Sequence, residues 1–269
     1  MRPAPEDEWS EARAHRPGQF FSFLSPGILR DFRTFTSLVR YPPRAVLFEE
    51  EQEASCILIL VEGCAKISMN SSDGKRLILW IARPAELLGL TSVLRGSSHE
   101  VTAETVHPCT IASIGRQEFL DFLMRHPAAH ECIMRELILE MSRACEHLRI
   151  MGLSSSATAK LARLLLEWSA GARPAARGTS VSVPFTHGEM GECIGVTRET
   201  VTRAMAELRE RRLVDVHGSA VFIRNRFALE AFAHGLHRAI SPAVLAHRAR
   251  RPRFSVTHPR EVTVITAGR

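Results

Sequence analysis

The sequence predicts an α+β protein in which an antiparallel β domain is followed by one long helix and then by a winged helix-turn-helix. Three observations carry this. Between Ala45 and Ile114, short β-rich runs alternate with turn signals. From Pro127 to about Gly152, no Pro or Gly interrupts a helical apolar period. Residues 186–208 hold two helix starts eleven residues apart, with a hairpin pattern behind them.

Taken in order, residues 1–18 are polar and Pro-containing, the composition of a disordered tail. Met1 to Arg16 carries both signs of charge and no apolar h-region, so no secretory leader is expected and the cytoplasm is the default compartment. A β domain is expected over 19–125, preceded by a short helix around Pro26–Ser37. Cys56-Ile57-Leu58-Ile59-Leu60-Val61 is an apolar β run stopped by Glu62-Gly63, and Ala65 to Met69 alternates. Ser71-Ser72-Asp73-Gly74 is a hairpin turn signal and Leu77 to Ile81 a further strand. Gly89 and Gly96 punctuate the next stretch, and Val101 to Ile114 reads as two strands around His107-Pro108. Strands this short at this spacing make a sandwich or barrel.

The long helix is expected over 126–153. Ile133, Leu137, Met141, Leu148 and Met151 form one apolar stripe. Some 25 helical residues span nearly 40 Å, more than one small β domain needs, so the stripe is the candidate seam of a homodimer. Leu153-Ser154-Ser155-Ser156 reads as a hinge. A winged helix-turn-helix is expected over 154–225. Its first helix, Ala157–Ala170, puts Leu161, Leu164, Leu165 and Trp168 on one face and stops at Gly171. A loop over Gly171–Thr179 and a strand at Val181-Ser182-Val183 lead into the motif.

In the motif, Thr186 with Glu189 forms a capping box and Thr197 caps the second helix. Gly195 permits the left-handed backbone of a tight turn, and Gly191 is small where the helices converge. Met190, Ile194, Val196, Val201 and Ala204 are apolar where such a unit packs inside. Leu213–Val216, His217-Gly218-Ser219 and Ala220–Ile223 read as the wing. The second helix exposes Thr197, Arg198, Glu199, Thr202 and Arg203. Arg forks onto the two guanine acceptors and Glu accepts from the cytosine amino group, so this set suits a DNA major groove. Arg209, Arg211 and Arg212 lie beyond the reading end, at phosphates or solvent.

Charge agrees with that order. Residues 1–153 carry 17 Lys/Arg against 20 Asp/Glu, residues 154–224 carry 10 against 7, and residues 225–269 carry 8 against 2. A basic rear half suits double-stranded DNA as partner. No apolar run reaches the ~20 residues that span a bilayer, so no membrane role is expected. Cys56, Cys64, Cys109, Cys132, Cys145 and Cys193 form no C-x-x-C pair and lie at no zinc-ligand spacing from His. His99, His107 and Glu104 would have to supply any metal enzyme site, and strand alternation sets Glu104 on the opposite face from the two histidines. Neither a metal nor a catalytic site is expected.

Over about residues 20–225 the chain resembles the CRP/FNR family of transcription regulators. The match is sharpest at Gly195-Val196-Thr197-Arg198-Glu199-Thr200-Val201-Thr202-Arg203 and the wing after it. The resemblance implies a cyclic-nucleotide-binding-like β-roll or jelly roll as effector domain, a homodimer through the long helix, and DNA and RNA polymerase as partners. It implies that Arg198, Glu199 and Arg203 contact bases in TGTGA-like half-sites. Members that bind cyclic nucleotides carry Gly-Glu after a strand and Arg-Ser/Thr-Ala about ten residues on. Here Leu90 follows Gly89, and His99, Glu100 and Val101 stand where the Arg motif is expected. The hydroxyl pair of the dimer helix is Ala144 and Cys145. Gly89, Leu90, His99, Glu100 and Cys145 are therefore the candidate effector pocket, and cyclic AMP is not expected to fill it. No cysteine precedes Cys56, so an iron–sulfur cluster is not expected, nor is haem. Residues 226–269 lie beyond the resemblance. They offer a helix over 226–239, with Phe227, Leu229, Phe232 and Leu236 apolar, and a basic, flexible stretch around Arg248–Arg253. The alternative function is a ligand-binding regulatory β-roll module with no DNA role.

Overall fold

The computed structural model describes residue 20 and residues 24–154, 156–169, 174–175, 178–182, 185–218 and 220–234. The expected tail over 1–18, Leu236 and the basic stretch at 248–253 lie outside the described residues. Helix α1 (Pro26–Thr34) starts at Ser25, whose hydroxyl accepts the Ile28 N–H at 3.4 Å, with Pro26 in its first turn. Strands β1 (Ser37–Tyr41), β2 (Val46–Phe48), β3 (Cys56–Glu62), β4 (Ala65–Asn70), β5 (Arg76–Ala82), β6 (Leu87–Leu88), β7 (Thr102–Thr105) and β8 (Cys109–Gly115) form two four-stranded antiparallel sheets. Their orders are β1-β8-β3-β6 and β2-β7-β4-β5.

β3 explains its own composition. Leu58 and Leu60 pack with Phe48, Ile67 and Ile111 between the sheets. Ile57, Ile59 and Val61 face outward, onto Phe32, Phe119 and Phe122 of the helices. A strand covered on both faces needs apolar residues at every position, so residues 56–61 show no alternation. Helix α2 (Leu90–Arg95) opens at Gly89, φ 77°, and closes at Gly96, φ 67°. Two glycines that read as loop punctuation thus bracket a short helix. Helix α3 (Arg116–Arg125) leads to α4 (Pro127–Leu153), 27 residues long.

The apolar stripe expected along α4 is covered by the roll over only part of its length. Ile133 is buried and Leu137 packs beside it against the roll's helices, while Met151 lies against Gly195. Met141 and Leu148 from that stripe are exposed, together with Met134, Ile138 and Leu139. The correction has a physical cause: the apolar arc of α4 runs from Ile133 through Leu137 and Met141 to Ile138, and periodicity cannot tell where the roll's cover of it ends. Met134, Ile138, Met141, Cys145 and Leu148 repeat at four and three residues, the spacing of a coiled-coil seam. On the inner face, Arg143 forks onto the buried Glu86 at 2.8 and 2.9 Å, tying α4 to the roll.

Ser156 caps α5 (Ala157–Trp168), accepting the Ala159 N–H at 3.1 Å. Strands β9 (Pro174–Ala175) and β10 (Gly178–Ser182) occupy part of the expected loop. Helices α6 (His187–Ile194) and α7 (Arg198–Glu210) follow, then β11 (Val214–His217), β12 (Ala220–Ile223) and α8 (Arg226–Ala233). The sheet order here is β11-β12-β10-β9. The core of this half, around Leu161, Leu165, Ile194, Val201 and Leu208, takes in Ile150 of α4 and Ile78 of β5, with Ile81 and Val106 against it. Opposite β5, Ile67 pairs with Trp80 and Ser68 with Ile78, so Leu79 is the extra residue of a bulge. Lys66 of β4, itself buried, reaches Glu104 at 2.9 Å and Glu189 of α6 at 3.5 Å.

Candidate nucleic-acid interface

The turn between α6 and α7 is built by the residues that spell it. The Thr186 hydroxyl accepts the Glu189 N–H at 3.2 Å, and the Glu189 carboxylate accepts the Thr186 N–H at 3.0 Å. Gly195 ends α6 in the left-handed region at φ 65°. A Cβ on Gly191 would stand 2.4 Å from the Val196 carbonyl oxygen, so only glycine lets the helices approach this closely. Thr197 caps α7 by accepting the Thr200 N–H at 3.3 Å.

Val201, Ala204, Met205 and Leu208 turn α7 inward. That leaves Thr197, Arg198, Glu199, Thr202 and Arg203 together on the exposed face. The N–H of Glu199 itself, with the Thr197 hydroxyl, holds the Glu199 carboxyl below its ordinary range, so it stands ready as an ionised acceptor. Arg203 Nη2 donates to Thr200 Oγ1 at 3.3 Å. Thr202 donates to the Arg198 carbonyl at 3.0 Å and lies 2.9 Å from His187 Nδ1. Sequence reasoning misses His187. Its signal is positional: the first residue of α6 is the one that faces the middle of α7. Arg211, by contrast, is engaged by Glu207 at 2.8 Å and stacks over Phe232, while Arg209 and Arg212 are exposed. In the wing, Arg224 forks onto Asp215 at 2.5 and 2.9 Å and holds that carboxyl low, with Gly218 turning the tip at φ 60°.

The roll holds a cavity of about 470 Å³ between β4, β5, β6, α2 and α4. Gly89, Leu90 and Glu100 line it, as expected from the sequence. His99 and Cys145 are not on its wall. His99 is tied through its backbone to Glu51 and Gln52, and its ring stacks on Phe48 at 3.9 Å, behind Gly89. Burial pushes its pKa down, which leaves it neutral. Cys145 is exposed on the outer side of α4, and its neighbour Ala144 meets the cavity instead. The walls missed from sequence come from separate segments, among them Phe48, Trp80, Leu88, Leu137, Glu140 and Met141.

A double-sheet roll with a half-open cavity, carried on one long helix into a winged helix-turn-helix with a polar, Arg-bearing exposed face, defines a DNA-binding regulator as the class of protein. Similarity to known proteins agrees. Residues 38–126 match the family model of the cyclic nucleotide-binding domain, and residues 159–232 that of the Crp-like helix-turn-helix domain, together more than half of the chain. The chain belongs to the CRP/FNR family of transcription regulators. It is 27% identical over 211 residues to the transcriptional activatory protein AadR of Rhodopseudomonas palustris, covering 78% of this chain and 87% of that one. It is 26% identical over 231 residues to the nitrogen fixation regulation protein FixK of Bradyrhizobium diazoefficiens, covering 85% and 95%. In fold it resembles FixK2 from Bradyrhizobium japonicum, with a TM-score of 0.65 and 24% identity over 72% of this chain and 96% of that one. Among the described residues, no helix is long and apolar enough to cross a membrane.

Proposed function

We propose that the chain works in the cytoplasm as a homodimeric transcription regulator that reads a two-fold symmetric, TGTGA-like site and acts on RNA polymerase there. The exposed face of α7 carries this reading. Arg198 and Arg203 each fork onto a guanine, and Glu199 accepts from a cytosine amino group. Thr197 and Thr202 bring hydroxyls to the same face. Two copies joined along the outer face of α4 present two such helices, with half-sites about one DNA turn, roughly 10 base pairs, apart. The two acidic residues on the cavity wall, Glu100 and Glu140, support a signal other than cyclic AMP.

The test is selection from random DNA with wild type, Arg198→Ala, Arg203→Ala and Arg209→Ala. Each recognition-face variant is expected to lose about 1–3 kcal/mol and to relax preference at one base pair. Arg209→Ala is expected to weaken binding to all sequences alike and to flatten the salt dependence. An unchanged motif in both recognition-face variants, with an altered one in Arg209→Ala, would place the reading surface elsewhere.

A further inference from the structure

We infer that the cavity of the roll takes a mainly apolar small molecule that is uncharged or positively charged, and rejects anions. The inference rests on the reading of the chain as a regulator and names the chemistry of its signal. At about 470 Å³ the cavity has the size of a site for a compact organic ligand. Its walls are mostly apolar: Phe48, Trp80, Leu88, Val101, Leu137 and Met141 surround it. The charged residues on its lining are both acidic, Glu100 from the loop after α2 and Glu140 from α4. Glu140 accepts from the Thr91 hydroxyl at 2.9 Å, so its carboxyl is held in place rather than free to swing away.

Two cations of the described residues near these carboxylates are already engaged. Arg95 pairs with Glu100 itself, and Arg143 is forked onto Glu86. A phosphate, sulfonate or carboxylate entering the cavity would therefore give up its water and meet Glu140, whose carboxyl pKa is already raised by burial, beside the Arg95-paired Glu100, with no cation among the described lining residues to receive it. A neutral aromatic or aliphatic body gains from the apolar walls, and a positive end would find Glu140. The ligand would also report directly to the dimer helix, because Leu137, Glu140, Met141 and Ala144 form one wall while Ile138 and Cys145 lie one residue away on the outer face.

The test compares two fluorescent probes that share an aromatic skeleton. N-phenyl-1-naphthylamine is neutral, and 1-anilinonaphthalene-8-sulfonate adds one negative group. Titrated into the full-length protein, the neutral probe is expected to bind, and the sulfonate and cyclic AMP to bind at least about ten-fold more weakly. The double variant Glu100→Gln with Glu140→Gln is expected to bring the two probes to within about three-fold of each other. Ala144→Trp, on an exposed helix position, and Val101→Trp each fill the cavity and are expected to weaken the neutral probe by about ten-fold or more. Failure of the neutral probe to bind overturns the inference. So does equal binding of the sulfonate or cyclic AMP by wild type, or binding of the neutral probe that both Trp variants leave untouched. DNA binding is scored on the same preparation by gel shift against the selected site. A protein that binds DNA but refuses the neutral probe refutes the ligand class alone, and one that takes the probe but binds no DNA refutes the regulator reading alone.

Discussion

Ile138→Glu is the sharpest probe of the proposed dimer. Ile138 sits mid-seam on α4, 60% exposed in the single chain, away from the cavity wall. Fully burying an Ile side chain contributes about 1.5–3 kcal/mol. With 60% of its surface still open, closing the seam over it contributes about 1–2 kcal/mol per copy, and about 2–4 kcal/mol for the two copies that meet at a two-fold axis. Glutamate forfeits that burial and sets two like charges across the seam. At 1.4 kcal/mol per decade, dimer affinity is expected to fall between about 30-fold and 1000-fold. Sedimentation equilibrium reads the mass, and circular dichroism confirms that helix content is unchanged, since the substituted side chain points away from the protomer's own core. Two results refute the reasoning: a wild type already monomeric at micromolar concentration, or a variant that dimerises as tightly as wild type.

Buried geometry yields two further outcomes. Gly191→Ala forces a methyl to within 2.4 Å of a backbone oxygen in the helix-turn-helix, so it is expected to cost about 2–3 kcal/mol by overpacking, measured as a lowered denaturation midpoint with DNA affinity falling in step. Glu136 is buried on α4, where desolvation raises its pKa to about 7 while the Phe20 N–H, donating at 2.6 Å, pulls the other way. The folded chain keeps a proton there that the unfolded chain gives up near its ordinary value of 4.5. That contribution is whole below pH 4.5, shrinks as pH rises, and is gone above about 7. Glu136→Gln, which keeps an acceptor for Phe20 without the charge, is expected to gain about 2 kcal/mol over wild type at pH 8 and nothing at pH 4.5. Urea titrations at the two pH values check this, and an equal gain at both would show that charge is not the cause.

The helix-turn-helix was legible because its geometry depends on a few residue types at fixed offsets. Thr186, Glu189, Gly191, Gly195 and Thr197 each occupy a position where the backbone admits little else, and each performs there the role its type suggests. The cavity was harder. Its walls come from six strands and helices, and only Gly89, Leu90 and Glu100 lay where a motif pointed. His99 was misplaced because a β-bridge between Glu53 and Ser98 and the bonds to Glu51 and Gln52 rotate it under Gly89, a tertiary constraint with no local signature. The exposed apolar part of α4 was hard to read for another reason. Ile133, Leu137, Met141 and Ile138 lie on one broad apolar arc, and only the folded roll shows which part of it is left exposed.

Strand β5 serves two neighbours at once. Its bulge turns Leu79 and Trp80 toward the cavity, while Ile78 and Ile81 join the core that holds Leu161, Ile194 and Val201. A partition shared in this way leaves no clean place to cut. A fragment ending at the hinge would carry Ile78, Ile81 and Val106 as a bare apolar patch and would tend to self-associate. A fragment beginning there would lose Ile150 from under its helices. Melting either half strips the other of part of its interior, so heat should undo the chain in one calorimetric transition where its architecture suggests two. Replacing the roll of this protein by another would then require matching the apolar footing on which its DNA-binding half stands.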